Sequence, residues 1–590
     1  MSVWDRIRQM HGNEVPHRIR ERLRRRMDRD RSPPLGGPGG LPKWPHIPAV
    51  APEVVGDMIE GLLESGFMLL GQGRTPSQRT QWDLDPATGQ TWPATYAYDI
   101  DLGVRDPKPA WELNRLQHLP VLALGPASAV DACRADLLSW IDAHPPWKGL
   151  GWAVGIEVAC RAISIALASS ALEGQLRGRE VRRIRDSLTA HGWWLQRYPS
   201  LYSSANNHRV AELGALAVLG AITDLPGAAG WYTEGVEGLR AEIGRQILAD
   251  GVGAEQSPSY QAFTMEWILL ARTVADLGPE VDGHLARGAA YLSSLVSHRG
   301  DHPHIGDHDG GRVLMSAFEE PRHVCAIAGA TAAVLGDPGL APAGWTPDLR
   351  AHWLGCLPLE GGYRHHSRTF PVGGMTTLVD GDWIAWFDHG PLGFPDLAAH
   401  GHADALAVWL HVDGEPILVD AGTYAYNGSP ESRRWFRGTA AHNTATVDGG
   451  NQSEPLGSFL WKTRARAWVI AAQHGESPSV RAATDAWAGV AHERQVSLAE
   501  GQLHLTDRFE GSGTHTVHIR LHFSAQLDIV PSEGGFEVRK KGERLLFLCA
   551  GGRLVRTRRA PGYGHLTEGT TWILETTEEL PWCHSLSITR

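Results

Sequence analysis

The feature that most constrains this 590-residue chain is a change of period near residue 355. Before it, Ala- and Leu-rich segments repeat with helical spacing at 129–142, 153–172, 178–197, 207–222, 232–249, 260–276, 284–298 and 319–335. Gly, Pro and short polar stretches separate them. Amphipathic helices in series, with no strand between them, must bury their apolar stripes against one another, as in a toroid of helical hairpins. After the change the segments are short and β-rich: Met375-Thr-Thr-Leu-Val, Trp383-Ile-Ala-Trp-Phe, Thr514-His-Thr-Val-His-Ile-Arg-Leu-His-Phe and Leu545-Leu-Phe-Leu. Turn residues punctuate them at the spacing of an antiparallel β-sandwich. The expected fold is therefore multidomain α+β. An (α/α) toroid over 50–355 precedes a β-sandwich over 356–590, and the cleft between them is a natural place for a site.

Residues 1–49 form a separate preface. Arg18, Arg20, Arg22, Arg24, Arg25, Arg26, Arg29 and Arg31 crowd one stretch, in which Val15, Ile19, Leu23 and Met27 recur every four residues. This predicts a basic amphipathic helix, docked on the body by its apolar stripe or else meeting a membrane surface or acidic partner. Ser32-Pro-Pro-Leu-Gly-Gly-Pro-Gly-Gly then reads as a flexible linker. A net charge of −11 argues against general nucleic-acid binding and leaves room for a local basic cleft. The 23 Trp residues favour carbohydrate mildly, since indoles stack on sugar faces, although core burial accounts for most of them. The six cysteines include no CxxC pair and read as scattered free thiols. No apolar run reaches the ~18 residues of a membrane span. The start, Met1-Ser-Val-Trp-Asp, lacks the apolar core of a signal peptide. The expected location is thus cytoplasmic or reached by non-classical export, and periplasmic or secreted if the start is trimmed.

Three constellations look unlike packing material. Asn206-Asn207-His208, with Glu212, precedes an apolar helix and also suits a helix cap. Glu255-Gln-Ser-Pro-Ser-Tyr260 precedes another, with Pro258 as its start signal. In the third, His400-Gly-His402-Ala-Asp404 opens a strand-like run, Asp413-Gly414 signals a turn, the next run ends at Asp420, and Ala441-His442-Asn443-Thr444 follows. Imidazoles and a carboxylate in this pattern suit either metal ligation or proton transfer.

Together these segments resemble the heparinase II/III-like polysaccharide lyases, a group that includes related alginate lyases. The resemblance runs from about residue 90 to 580. It rests on Trp111-Glu-Leu-Asn-Arg115, Glu157 with Arg161, Asn206-Asn-His208, Gln256-Ser-Pro-Ser-Tyr260, His304-Ile-Gly-Asp307, His400-Gly-His-Ala-Asp404, Val419-Asp-Ala-Gly-Thr-Tyr424 and Phe436-Arg-Gly-Thr-Ala-Ala-His442-Asn443. It implies the same toroid and sandwich. It also implies β-elimination at a 4-linked uronic acid in a glycosaminoglycan, alginate or exopolysaccharide.

By this resemblance Asn207, assisted by His208, offsets the uronate charge, and Tyr260 and His400 supply the acid and base. When proton and leaving group lie on opposite faces, histidine as base and tyrosine as acid fits; when they share a face, tyrosine can do both. Asn206, Glu255, Tyr424, Arg433, Arg434 and Arg437 are the expected substrate contacts. Glu157 and Arg161, four apart on a helix, are positioned to pair with each other. Gly306-Asp307 matches a loop motif near the cleft.

His402, Asp420 and His442 match a structural metal site, best suited to zinc, with calcium or manganese as alternatives and no organic cofactor. An ideal hairpin at Asp413-Gly414 would set Asp420 opposite Ala407, too far from His402. The site therefore requires a loop that folds back or a bulged hairpin. Asp404 is left to orient a neighbouring histidine. The expected partner is an anionic polysaccharide or oligosaccharide, with no nucleic acid, no integral membrane span, and a homodimer left open. Two rival readings stand beside this one: a metal-dependent glycan hydrolase and a non-catalytic polysaccharide binder.

Overall fold

A computed structural model describes residues 12–49, 52–65, 67–70, 72–74, 80–85, 88–316, 322–540 and 543–590. Residues 1–11 of the basic stretch and 319–321 of the last helical segment lie outside them. Helices occupy the first part and antiparallel sheets the second, as the change of period requires. The helix Asn207–Ile222 sits at the centre of the toroid, packed against Gly155–Ala171, Ala228–Gln246 and Pro258–Val274. It can be central because Ala, Leu, Val and Gly cover nearly all its faces. At Gly235, for instance, a Cβ would lie 2.4 Å from the Ala217 nitrogen, so glycine sets the approach of the neighbouring helix.

Three larger sheets and a two-stranded one, Pro455–Leu456 with Leu460–Trp461, make the second part among the described residues. Arg368–Phe370, Met375–Asp380, Trp383–Asp388, Val408–Val412 and Glu415–Leu418 pair in sequence order. An eight-stranded sheet and a four-stranded sheet follow. Val490–Ala499 shows the strict in-out alternation of a strand with one buried face, whereas Trp383–Asp388 is buried along its whole length. Their inner faces share one core of Leu378, Trp383, Val408, Val496, Leu521 and Trp572. The tryptophans are largely structural: Trp140, Trp152, Trp194, Trp267, Trp386 and Trp409 are among the largest fully buried side chains. The cysteines are free thiols, as expected.

Two expectations about the preface change. The segment after the basic helix is a strap and not a loose linker. Arg185 donates to the carbonyls of Gly36, Gly37, Pro38 and Gly40, and the Gly36 N–H donates to Asp186. A Cβ on Gly36 would lie 2.6 Å from Arg185 backbone, which is why glycine stands there. Farther on, the Trp44 N–H donates to Ser170 and its indole to the Trp353 carbonyl, tying the strap to both ends of the toroid. The basic helix, Glu14–Asp28, does dock, but by the opposite face from the one its apolar stripe predicts. Glu14, Glu21 and Asp28 are buried, and Ile19, Leu23 and Met27 are exposed.

One buried ion pair holds the sandwich to the loops it carries. Arg494 faces Asp507 across adjacent strands, at 2.7 Å from Nε to Oδ1, and donates through Nη1 to the carbonyls of Leu406 and Asn443. Asn443 in turn donates to Val408 and Val419 carbonyls and accepts from the His522 N–H. Removing one partner of such a pair leaves a buried charge uncompensated. Arg494→Ala is therefore expected to lower the stability of the sandwich by about 3–5 kcal/mol. An unchanged urea midpoint would refute this.

Candidate functional site

The site is assembled from loops of both parts around Asp307, which is fully buried. Its carboxylate accepts from His400 Nδ1 at 3.0 Å, His402 Nε2 at 2.9 Å, and Arg433 Nη1 and Nη2 at 2.5 and 2.7 Å. Burial opposes ionisation of Asp307, but Arg433 and the two imidazoles hold its carboxyl well below the usual range. Its backbone is fixed as well. The Asp307 N–H donates to the His400 carbonyl, and its own carbonyl accepts from Ser257 Oγ. Gly306 precedes it at φ +61°, where a Cβ would come within 2.6–2.7 Å of the Gln256 and His400 carbonyl oxygens. The expected loop motif Gly306-Asp307 is thus the joint of the two domains.

Because Asp307 is ionised, His400 Nδ1 carries the hydrogen of their bond. In the neutral imidazole the lone pair then lies on Nε2, 3.6 Å from Glu255 Oε2. The His400 ring stacks on Tyr260, with centroids 3.6 Å apart and planes 17° apart. Tyr260 lies in the first turn of Pro258–Val274, where the Ser257 side chain caps its N–H. Its hydroxyl donates to Asp309 Oδ2 at 3.0 Å and lies 2.7 Å from the hydroxyl of Tyr426.

Burial first, and then Asp309 and Asp307, push the Tyr260 phenol well above 10, so it is protonated near neutrality. Burial would raise the Asp309 carboxyl, but Lys108 and Arg115 hold it down at about 2. Lys108 also pairs with Glu112, Glu112 with Arg115, and Arg115 with Glu157. The Trp111–Arg115 motif therefore supports the tyrosine from behind.

Opposite lies the Asn pair. Asn206 caps Asn207–Ile222, its side chain accepting from the His208 N–H. The Asn207 amide donates to both Glu255 oxygens at 3.0 Å, its backbone N–H donates there too, and its Oδ1, fully buried, has no hydrogen-bond partner among the described residues. Burial raises the Glu255 carboxyl above its ordinary value, countered in part by His400 and Asn207. His208, half-buried one residue on, is lowered to about 4, by burial first and by His400.

Several expected residues stand elsewhere. Tyr424 packs on Phe436, away from Tyr260; Tyr426, two residues on, is the tyrosine in the site. Strand-like alternation gave no reason to prefer one over the other. Arg433 is spent on Asp307 and Arg437 on the carbonyls of Gly457 and Ser458, both buried, so neither offers a free fork to a substrate. Arg434 is exposed on the same helix, Pro430–Arg437. Glu157 and Arg161 do not pair: Glu157 accepts from Arg115, while Arg161 donates to His191 and to the Asn114 and Gly151 carbonyls.

Behind Asp307 lies a group able to hold a metal. One ligand atom each from His402, Asp404 and His442 falls within 4.8 Å of the others, and all three residues are buried. His402 Nδ1 and His442 Nε2 have no hydrogen-bond partner among the described residues, while their other nitrogens are held by Asp307 and by Asp420 at 2.6 Å. Carboxylates behind two imidazoles are the usual outer support of a metal site. The expected ligand Asp420 thus stands on the far nitrogen of His442, and Asp404 completes the group.

The hairpin is bulged, as the expected site would have required, yet Asp420 meets His442 from behind. Val412 pairs with Glu415 across Asp413-Gly414, the register slips by one between Leu410 and His411, and His402 lies in a loop before the strand Val408–Val412. Burial pushes the Asp404 carboxyl up to about 7, and His442 is raised by Asp420 against its own burial. A protonated His442 would bury an unpaired N–H at Nε2, a cost that a cation there removes. The residues therefore fit a divalent ion. The other histidine group, His302, His304 and His308, has ring centroids 4.6–6.1 Å apart and does not converge in this way.

Comparison with known proteins agrees with this architecture. The family profile described as Heparinase II/III-like, C-terminal, matches residues 363–581, and that described as Heparinase II/III N-terminus matches 183–284. Among solved structures, a heparinase III is 14% identical, with a TM-score of 0.66 over 90% of this chain and 88% of that one. A second heparinase III, with methylated lysines, is 16% identical, with a TM-score of 0.59 over 98% and 89%. A heparan sulfate lyase mutant from Pedobacter heparinus is 16% identical, with a TM-score of 0.59 over 96% and 87%. At such identities the likeness is one of fold. No curated protein matches the sequence.

Protein purified without a histidine tag is expected to carry close to one equivalent of a divalent metal, and His442→Ala to lose it. Asp420→Ala should weaken the metal affinity by ~10- to 100-fold. Less than about a tenth of an equivalent of any divalent ion in the wild-type protein would count against the site.

Proposed function

Since the chain belongs to the heparinase II/III-like family and is a polysaccharide lyase, we propose that it cleaves a 4-linked uronate polymer by β-elimination, with His400 as base and Tyr260 as acid. The observation that carries this reading is the pairing of His400 and Tyr260, one from each domain, stacked beside the Asn207–Glu255 pair. The polymer is a glycosaminoglycan or a related acidic polysaccharide.

The proton on carbon 5 is hard to remove because the adjacent carboxylate repels the negative charge that develops. Asn207 and Glu255 meet that carboxylate. A protonated Glu255 donates to it, and the Asn207 amide, released from Glu255, supplies a second donor where charge builds up. Neutral His208 adds a polar contact without adding charge. His400 Nε2 then takes the carbon-5 proton while Asp307 stabilises the imidazolium that forms. The electrons of the C–H bond become the carbon 4–carbon 5 double bond, and the bond from carbon 4 to oxygen 4 breaks. Tyr260 gives its proton to the departing oxygen, and Tyr426 and Asp309 keep the phenol oriented. Transfer of the proton from His400 back to the tyrosinate through solvent restores the site.

This division of roles suits a uronate whose proton and leaving group lie on opposite faces. Where they share a face, Tyr260 serves both steps. A divalent ion at His402, Asp404 and His442, best matched by zinc with its two imidazoles and one carboxylate, would fix the loop that carries His400. His402, Asp404 and His442 would hold it behind Asp307, and the proton transfers would stay with the side chains of His400 and Tyr260, which favours the lyase over a metal-dependent hydrolase.

Incubation with a panel of uronate polysaccharides should yield ultraviolet-absorbing unsaturated ends. Tyr260→Phe and His400→Ala are each expected to lower kcat by at least ~100-fold with the circular dichroism spectrum of the folded protein retained, His400→Ala also lowering the melting temperature because a buried partner of Asp307 is lost. A third of the activity retained in both would sink the assignment. Glu255 supplies a pH test. Its raised carboxyl must stay protonated to accept a second carboxylate beside it, so kcat/KM should fall as pH rises through the Glu255 titration. Glu255→Gln, which cannot ionise, should carry that alkaline limb to higher pH; a limb left in place would exclude Glu255 from the role.

A further inference from the structure

The helix Glu14–Asp28 is turned the wrong way round for a soluble protein. Its inward face is acidic: Glu14, Glu21 and Asp28, seven apart, are 0%, 9% and 2% exposed. Asp28 accepts from Arg197 Nε at 2.7 Å and the Tyr198 hydroxyl at 2.8 Å, and Glu14 accepts from Ser203 Oγ at 2.5 Å. From the same helix, Arg24 donates to the Arg197 carbonyl, and Arg25 lies 3.6 Å above the Tyr98 ring. The docking is therefore polar and specific, and it fixes which side faces out. On that side Ile19, Leu23 and Met27, four apart, are 55%, 53% and 71% exposed.

At 100° per residue the three fall on one stripe, with Arg22 and Arg26 along one flank and Arg20 along the other. All three arginines are exposed and make no ion pair among the described residues. A contiguous apolar stripe rimmed by cations marks a contact surface and not a solvated face.

We propose that this face seats the protein on an anionic lipid surface. Ile19, Leu23 and Met27 enter the boundary between headgroups and acyl chains, and Arg20, Arg22 and Arg26 meet lipid phosphates. Charge decides the occupant. The whole chain is acidic at −11, so the basic face is a local feature with an anionic complement. A soluble polyanion would use the arginines and leave the apolar stripe in water. A second copy would bring two arginine-rimmed faces together. Only a surface that is at once anionic and apolar beneath satisfies both halves of the pattern.

The helix is also bonded to Ser203 and Ser204, in the turn that leads into Asn206 and Asn207. Seating on lipid therefore places the cleft beside the bilayer. The inference does not depend on the elimination chemistry.

The full chain is to be sedimented with vesicles of zwitterionic lipid, with and without ~30% anionic lipid. Binding is expected to the anionic vesicles only. It should weaken as salt rises and the screening length falls from ~10 Å at 0.1 M to ~3 Å at 1 M. The double variant Leu23→Glu/Met27→Glu should lose at least ~10-fold in partition, with circular dichroism and melting unchanged because both positions are exposed. Arg20→Gln/Arg26→Gln should weaken binding to anionic vesicles in the same direction. No sedimentation with anionic vesicles would overturn the proposal, as would equal binding by the Leu23→Glu/Met27→Glu variant. So would a result in which the arginine variant loses only retention on a soluble uronate polymer, or one in which the face proves to hold two copies together and binds no vesicle.

Discussion

Everything at this site hangs on one carboxylate. Asp307 is fully buried and ionised, which by itself is costly, and the cost is offset only because three groups from the other domain close on it. Two of them are histidines with separate duties. His400 turns its second nitrogen to Glu255, and His402 turns its second nitrogen to Asp404 and His442, the group able to hold a metal. The third, Arg433, supplies the full positive charge that keeps the carboxylate ionised when both imidazoles are neutral. The domain interface, the tautomer of His400 and the orientation of His402 are thus set by the same four polar contacts. A loss at Asp307 would be felt at all three.

A second chain of charges runs away from the tyrosine. Tyr260 donates to Asp309, and Asp309 is held by Lys108, which begins an alternating series through Glu112, Arg115 and Glu157. Each ion is buried and each is paired, so the series fixes geometry more than it adds stability. It also keeps the tyrosine protonated, because a negative carboxylate beside a buried phenol disfavours the phenolate. The two stacked rings are therefore held by carboxylates in different ways: Asp307 fixes which nitrogen of His400 carries the hydrogen, and Asp309 beside Tyr260 keeps the phenol proton in place.

The fold was legible because its two periods are strong and long. The functional segments were legible because Asn206-Asn207-His208, Glu255 to Tyr260 and His400 to Asp404 are costly residues to bury without a purpose. Less legible was anything that depended on register or facing. Tyr426 and Tyr424 lie in the same loop with the same chemistry, and only the path of that loop brings Tyr426 to Tyr260. Asp404 stands where Asp420 was expected because the Asp420 carboxylate is taken up by Nδ1 of His442, on the side away from the free Nε2. Arg433 and Arg437 looked like substrate forks and are buried structural donors, since forked donors suit an internal carboxylate as well as a bound one. The basic helix was placed correctly and faced wrongly, because its acidic heptad found partners on the toroid that periodicity does not reveal.

By itself, then, the sequence determined the order of the two domains, the segments that meet in the cleft and the kinds of side chain available there. These follow from local spacing and from the cost of burying polar groups, which a chain carries wherever it folds. The tertiary structure decided which carboxylate serves which histidine, which tyrosine meets Tyr260, and which face of the first helix looks outward. Those are questions of distance between residues remote in sequence. They are settled by the unique set of partners that satisfies every buried charge at once.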